Sequence, residues 1–488
     1  MITWGISANS HDAALAVFVD EKLAFASHSE RFSGLKNDRD LHNELIHYAK
    51  QFGNPDQVYW YEQPIKKTLR QLVAGQGWKR RDNNIEIYLA RYNINAPVTY
   101  VDHHLSHVAG GYFTSGFDEA CVVVIDAIGE WDTATIWEAT GNKFKKKWSL
   151  RYPHSVGLFY SAMTQRVGLK PNEDEYILMG MAAYGNLSLE NKIYHDFVKE
   201  EDSIKFKKSL HRGCMEWAPD LIVKDSFDIA AGTQAVYETL FMTILRKAKK
   251  LVPSNNLVLM GGCALNCSAN RLTGRYFSNT WIMPNPGDAG SALGAVLAKH
   301  PEWKMSQDEF TPFLGYDMKQ TTPNEKIVDY LIDSKICGLA RGKAEFGPRA
   351  LGNRSLLADP RGNDIKDRVN AIKQRQEFRP FAPVILEELV DTYFDMPPGW
   401  TTSRYMQVIA RCRVPDLFPA IIHRDGTSRV QTVPNDGSPI RRLLELWYKA
   451  TGCPMLLNTS LNIKGKPMVN DHADARNFES QYGVKVFN

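Results

Sequence analysis

The sequence predicts an α/β protein of two domains, the first of them built from a duplicated strand unit. Three observations carry this expectation. A strand–turn–strand–turn–strand run opens the chain, a similar run returns at residues 121–139, and the sequence changes character near residue 316. At 488 residues the chain also exceeds one typical domain.

The opening run reads ITWGIS, ALAVFVD and KLAFASHSE, with DEK at the second turn. Its return reads CVVVID, the turn AIGEWD and TATIWEA, with KFKKKWSLRY as a third strand. Helical patterns follow at LHNELIHYAKQFG (41–53) and SVGLFYSAMTQRVG (155–168). The longest is SFDIAAGTQAVYETLFMTILRKAKKL (226–251), with Ser226 as the expected N-cap. NLVLMGG (256–262) is a short apolar strand running into paired glycines, and DAGSALGAVLAKH (288–300) a small-residue helix. Residues 300–325 are polar, hold three prolines and keep no period, so the expected domains are 1–315 and 316–488. Strands and helices then mix again through KICGLARGK, RPFAPVILEELV, YMQVIARCRV and PMLLNTSLN.

Composition excludes several classes. Hydrophobic and charged contents of 43% and 23% suit a soluble globular protein, and no window approaches the ~18 apolar residues of a membrane span. The N-terminus lacks the basic region and cleavage site of a signal peptide and reads as a strand, so a cytoplasmic location without a membrane partner is expected. Net charge is 59 − 55 = +4, too small for a dedicated nucleic-acid binder. The basic residues cluster, however, at 77–84 (GWKRRDNN), 143–148, 204–212 (IKFKKSLHR) and 245–250. They read as solvated faces or as a surface that attracts a polyanion. Seven cysteines without a CxxC pair form neither a disulfide framework nor a zinc ribbon.

Chemistry concentrates in a few places. VDHHLSH places His103 and His107 at i, i+4, on one side of a helix, where both imidazoles can share a cation. Capped histidines on a helix starting at Asp102 are the plainer alternative. Asp126 ends a buried strand, with Gly129 and Glu130 in the turn after it, and Asp288 opens a helix after a Pro-Gly turn. Such carboxylates are either caps or ligands, and with the His pair they can complete a His₂Asp₂ site suited to iron, manganese or zinc. Gly261 and Gly262 follow a strand and can let backbone amides face a phosphate or ribose. In the second domain Arg349, Arg354, Arg361, Lys373, Arg375, Arg379 and Arg429 lie in turn-rich sequence with Gln431, Asn458, Ser460 and Asn462. Cations gathered this way, with Ser and Asn donors, fit a polyphosphate and a second small anion.

The segments SHDAA, SERF, HHLSH, YILMGMAAYG, GGCALNC, NPGDAGSALG, EFGPRALGNRS, DPR, KQRQEFRPFAP, DGTSRVQTV and LLNTSLN run in order from residue 5 to about 470. Together they resemble the O-carbamoyltransferase family that includes the tobramycin, cephamycin and nodulation-factor enzymes. The resemblance implies an actin-like (ASKHA, Kae1-like) N-terminal domain and a YrdC-like C-terminal α/β domain. It further implies that carbamoyl phosphate and ATP, with Mg, form carbamoyl adenylate and pyrophosphate in the second domain. The first domain then passes the carbamoyl group to an acceptor hydroxyl and releases AMP.

By the same resemblance His103, His107, Asp126 and Asp288 would bind a divalent cation of iron type, with His104 as a neighbour. Gly129, Glu130, Gly261, Gly262 and Asn266 would surround the adenylate, and His11 would assist deprotonation of the acceptor. Lys373, Arg375 and Arg429 would bind phosphates, with Arg349, Arg354, Ser460 and Asn462 around them. Ile177 stands where the family has Lys, and Lys466 where it has Glu, which bears on the acceptor rather than the reaction. The acceptor is a small metabolite, sugar or antibiotic hydroxyl, or the hydroxymethyl group of a modified pyrimidine in a nucleotide or DNA. A catalytically silent nucleotide-binding scaffold and a threonylcarbamoyl-type N-transfer are the alternatives, and the oligomeric state is not readable.

Overall fold

Two sheets with one shared plan organise the N-terminal half. A computed structural model describes residues 1–488, Val223 excepted. The chain forms two compact units. The first comprises residues 1–33, 37–265 and 275–311, and the second residues 34–36, 266–274 and 312–488.

In the first unit, β1 (Ile2–Ser7), β2 (Ala14–Val19), β3 (Lys22–His28), β4 (Gln57–Trp60) and β5 (Val98–Tyr100) form one sheet in the order β3-β2-β1-β4-β5. β1 pairs antiparallel with β2 and parallel with β4. The second sheet contains β6 (Glu119–Gly129), β7 (Asp132–Thr140), β8 (Lys143–Arg151), β9 (Asn256–Met260) and β10 (Asn279–Trp281), in the order β10-β9-β6-β7-β8. Again the first strand pairs antiparallel with the next, β7, and parallel with a later one, β9. Repetition of both the order and this switch gives the duplicated α/β fold that the two hairpin-led runs predict. Trp4, Ile6, Leu15, Val17, Phe25 and Trp60 fill the core against the first sheet.

Five helices matter for the site: α1 (Pro64–Val73), α2 (His103–Tyr112), α3 (Val156–Arg166), α4 (Ser226–Leu251) and α5 (Ser291–Leu297). Helix α5 lies so close on α2 that a Cβ on Gly294 would stand 1.9 Å from the Ser106 carbonyl oxygen. Only glycine permits that approach. Ser226 is the first residue of α4 rather than its cap; Asp225 occupies the N-cap without a side-chain cap bond.

The second unit is built on a six-stranded mixed sheet of β11 (Ile336–Ala340), β12 (Arg354–Ala358), β13 (Ala382–Leu386), β14 (Gln431–Val433), β15 (Met455–Ser460) and β16 (Val486–Phe487). The order is β14-β13-β15-β12-β11-β16, over a core that includes Leu339, Leu356, Ile385, Leu443, Trp447 and Leu457. Helix α6 (Ile365–Ile372) ends at Lys373. Residue 316, expected to divide the domains, falls inside a strand, Phe313–Met318, that pairs with Gly342–Glu345. Its FLGYDM sequence has too little alternation to announce a strand, and only the partner strand reveals it.

Candidate metal centre

The i, i+4 spacing of His103 and His107 does bring their Nε2 atoms together, 3.2 Å apart. Asp126 Oδ2 lies 3.1 Å from His103 Nε2 and 3.4 Å from His107 Nε2. Asp288 Oδ1 stands 3.3 and 3.4 Å from the same two atoms. One atom from each of the four buried residues falls within 4.8 Å of every other. Ligands ~2.0–2.2 Å from a shared ion, at tetrahedral or octahedral angles, lie about 2.8–3.6 Å apart, so these separations fit one ion. Two neutral imidazoles with two carboxylates suit iron, manganese or zinc.

Each of the four side chains is aimed by local structure. Asp126 sits in a bulge of β6, between the pairs Ile125–Ala134 and Gly129–Asp132. Its Oδ1 accepts the Ala127 amide at 2.8 Å, which turns Oδ2 to the histidines. Ser155, the N-cap of α3, fixes that backbone by donating to the Ala127 carbonyl at 2.7 Å. Asp288 comes into place because α5 rides on α2 through Gly294. Gly129 closes the other side, where a Cβ would meet the His103 ring at 2.5 Å and the His104 ring at 2.6 Å.

Burial and the neighbouring carboxylates set the charges. Burial works against protonation of His103 and His107, but Asp126 and Asp288 outweigh it and raise both rings above the ordinary histidine range. Burial also opposes ionisation of Asp126 and Asp288; the paired histidines nevertheless hold both carboxyls low. His104 points elsewhere. Burial and the two neighbouring rings keep it neutral, and its Nδ1 meets Thr135 Oγ1 at 2.8 Å.

Asp102 occupies the N-cap position of α2 without capping it, and pairs with Lys66 at 2.8 Å. Glu130 faces the α2 terminus instead, accepting the Gln63 amide at 2.6 Å and lying 3.4 Å from the His103 amide. Burial raises its carboxyl to about 7. His11 is half exposed, with Nε2 3.4 Å from Asp288 Oδ2.

Two of the expected contacts fall elsewhere. The Gly261 amide is committed to the Pro286 carbonyl at 2.9 Å, so it does not face a phosphate. Asn266 caps the short helix Cys267–Asn270 by accepting the Ala269 amide, and it belongs to the second unit rather than the one holding the His and Asp cluster. Gly262 does lie by the cluster, where a Cβ would stand 3.4 Å from Asp126 Oδ1.

In the second unit Lys373, Ser460 and Asn462 converge. The Lys373 ammonium donates to the Ser460 carbonyl and hydroxyl, and to the carbonyl and Oδ1 of Asn462 at 2.9 Å each. Burial, with Arg375 and Arg379 nearby, holds its pKa well below the lysine range. Arg375 lies over the Phe381 ring, 4.2 Å from its centroid, and donates to Asn370 Oδ1 at 2.8 Å. Arg429 is lowered by burial, and its Nε lacks a partner among the described residues. Arg349 is half-buried in the loop after Glu345.

Arg354 is drawn into the framework. Its guanidinium donates to the carbonyls of Arg341, Gly342, Asn353, Tyr316 and Asn470, which explains the arginine without a ligand. Arg361 likewise forms a two-pronged pair with Asp359. Sequence reasoning missed Glu345, whose Oε1 accepts the amides of Leu351, Asn353 and Arg354 and so shapes the EFGPRALGNRS loop. It also missed Lys67 and Arg70, since charged residues on a helix usually read as solvent-facing, and Glu62 in the bend before that helix.

The family model described as Carbamoyltransferase N-terminus matches residues 67–297, and that described as Carbamoyltransferase C-terminus matches residues 328–487. The chain belongs to the carbamoyltransferase family and is an enzyme of that kind. Nodulation protein NolO of Bradyrhizobium diazoefficiens is 31% identical, over 77% of this chain and 75% of its own. The 3'-hydroxymethylcephem-O-carbamoyltransferase of Amycolatopsis lactamdurans is 28% identical, over 95% of this chain and 94% of its own. A Synechocystis protein, sll1178, described as uncharacterized, is 30% identical over 96% of this chain and 93% of its own.

Proposed function

We propose that the protein is an ATP-dependent O-carbamoyltransferase. In the second unit, carbamoyl phosphate loses its phosphoryl group to water, giving carbamate and inorganic phosphate. A carbamate oxygen then attacks the α-phosphorus of ATP, and pyrophosphate leaves. In the first unit the acceptor oxygen attacks the carbamoyl carbon, the bond from that carbon to the AMP oxygen breaks, and the hydroxyl proton is taken up by a base.

The observation that carries this reading is the His103–His107–Asp126–Asp288 cluster, in a chain matched by carbamoyltransferase family models over both halves. His103, His107, Asp126 and Asp288 would hold a divalent cation, which would supply Lewis acidity to the carbamoyl carbonyl and charge for the adenylate phosphate. His11, half exposed with Nε2 3.4 Å from Asp288 Oδ2, is the residue we assign to take up the acceptor's proton. Asp126, oriented through Oδ1, keeps Oδ2 directed to the same point throughout. In the second unit the Lys373 ammonium orders Ser460 and Asn462, while Arg375 and Arg429 supply positive charge to phosphates, with Mg accompanying ATP.

The acceptor is a hydroxylated small molecule, as the name of the cephem relative suggests. The test is pyrophosphate release from ATP, with and without carbamoyl phosphate and with no acceptor. Release that requires carbamoyl phosphate supports activation and justifies a screen of sugar, antibiotic and hydroxymethylpyrimidine hydroxyls. Silence from folded, metal-loaded protein, with and without candidate acceptors, would leave the scaffold reading.

A further inference from the structure

Helix α1 is built inside out. Its inner face is polar, with Lys67 5%, Thr68 3% and Arg70 9% exposed. Lys67 pairs with Glu62 and donates to the Asn9 carbonyl, Thr68 accepts the Asn83 amide, and Arg70 reaches the Glu130 carbonyl. Its outer face is apolar: Ile65 is 77%, Leu69 45%, Leu72 47% and Val73 66% exposed. That spacing of i, i+4, i+7 and i+8 makes one stripe, and Trp78, 58% exposed, follows it in sequence. A surface helix ordinarily turns such a stripe to the core. Here the inner side is already occupied by bonded charges, so among the described residues nothing covers the stripe.

Two of the four basic segments meet at this helix. Arg80 and Arg81 are exposed and have no ion pair among the described residues, whereas Lys79 pairs with Asp82 at 3.3 Å. From the segment 204–212, His211 Nε2 lies 3.0 Å from Gln76 Nε2. The Arg212 guanidinium comes up beside Gly75, where a Cβ would stand 3.1 Å from its Nη2.

We propose that α1, with Trp78, Arg80, Arg81 and Arg212, docks on an anionic lipid surface. The stripe enters the boundary of the acyl chains and the guanidiniums meet phosphates. An apolar helix face bordered by a tryptophan and cations is the pattern of a helix lying in the membrane plane. The sign of the unpaired charge selects anionic headgroups. A second copy fits less well, because a stable protein interface takes about 20–30 residues a side and this stripe is one short helix. The docking is peripheral: among the described residues no helix is long and apolar enough to cross a membrane. It stands against the expectation, drawn from composition, of no membrane partner, and flotation decides between the two.

The experiment is flotation of the full-length protein with two kinds of vesicle, phosphatidylcholine alone and phosphatidylcholine with about one-third phosphatidylserine. Flotation is expected only with phosphatidylserine and is expected to weaken as salt rises. Ile65→Ser combined with Leu69→Ser should abolish it. Arg80→Glu combined with Arg81→Glu should weaken it by at least roughly fivefold for each arginine removed. Circular dichroism and carbamoyl transfer to a soluble acceptor should stay unchanged in both double variants, because all four side chains are exposed. Failure of the wild type to float overturns the proposal, as does flotation that ignores phosphatidylserine or survives both double variants. A concentration-dependent dimer lost on Ile65→Ser with Leu69→Ser, without flotation, assigns the stripe to self-association and overturns it as well.

Discussion

His28 and Asn285, 257 residues apart in sequence, meet at 3.0 Å between the ring Nε2 and the side-chain amide. The other ring nitrogen lies 2.7 Å from Asp12 Oδ1. With the amide donating, Nε2 accepts and Nδ1 carries the proton that Asp12 receives. Asp12 follows His11, and Asn285 lies in the turn that leads to Asp288. The buried imidazole therefore holds the proposed base and a proposed metal ligand in fixed relation.

His28→Leu should lower the rate of carbamoyl transfer by roughly 10- to 100-fold, the cost of a small misplacement at a reacting centre. Bound metal, measured by elemental analysis, should stay near the wild-type amount, because none of the four ligands is altered. Loss of metal in step with activity would show that the imidazole supports the cluster and not the position of His11.

His107→Ala should remove the metal and abolish transfer, while pyrophosphate release in the second unit continues. Metal content and the two half-reactions can be measured on one preparation. Loss of pyrophosphate release as well would contradict the division of labour between the units.

Gly129→Ala drives a methyl group into the His103 and His104 rings. The expected result is metal affinity weakened by about 10- to 100-fold, as for changes that disorient ligands without removing them. Titration of the apoprotein with manganese or zinc measures it, and unchanged affinity would show that the β6–β7 turn can yield.

Much of this was legible in the chain. Short apolar, β-branched runs bounded by turns, and the return of the hairpin-led run, announced the leading strands of both sheets in the first unit, which are buried almost throughout. The His pair and the two acidic turns were visible for the same local reason. What brings them together is not local. Gly294 permits the approach of α5 to α2, yet reads as one more small residue until its contact with Ser106 is seen. Glu130 faces the α2 terminus from outside the helix, displacing Asp102, which any sequence rule would choose. Arg354 looks like a phosphate ligand because its carbonyl partners are scattered from Tyr316 to Asn470. The polar side of α1 is invisible for the converse reason, since its lysine and arginine resemble a solvated face.

Lys373→Ala should abolish pyrophosphate release and leave the metal bound. Its buried ammonium is the common donor to Ser460 and Asn462, so removal strands several acceptors at once. Release at the wild-type rate would show that activation occurs elsewhere.

Acid should loosen the turn that precedes Arg429. Burial disfavours ionisation of Asp425, but the His423 ring 3.6 Å away and hydrogen bonds from the Thr427 hydroxyl and amide outweigh it and hold the carboxyl at about 2. A depressed carboxyl contributes stability above its unfolded value near 4, and that contribution fades as pH falls through 2. Allowing for its partial exposure, Asp425→Asn should cost about 1 kcal/mol at neutral pH and almost nothing near pH 2. Denaturant midpoints at the two pH values check this, and an equal loss at both would remove the electrostatic account.

The shared plan of the two sheets has a consequence for how the enzyme can change. His11 lies in the turn after β1 and Asp126 late in β6, each the leading strand of its sheet. On the roles proposed above, the turn after one leading strand handles a proton and the turn late in the other holds an ion. On that reading residues 8–12 can drift to suit a new acceptor while the 126–130 turn stays constrained by an ion, and substrate range can diversify without rebuilding the proposed carbonyl-activating centre.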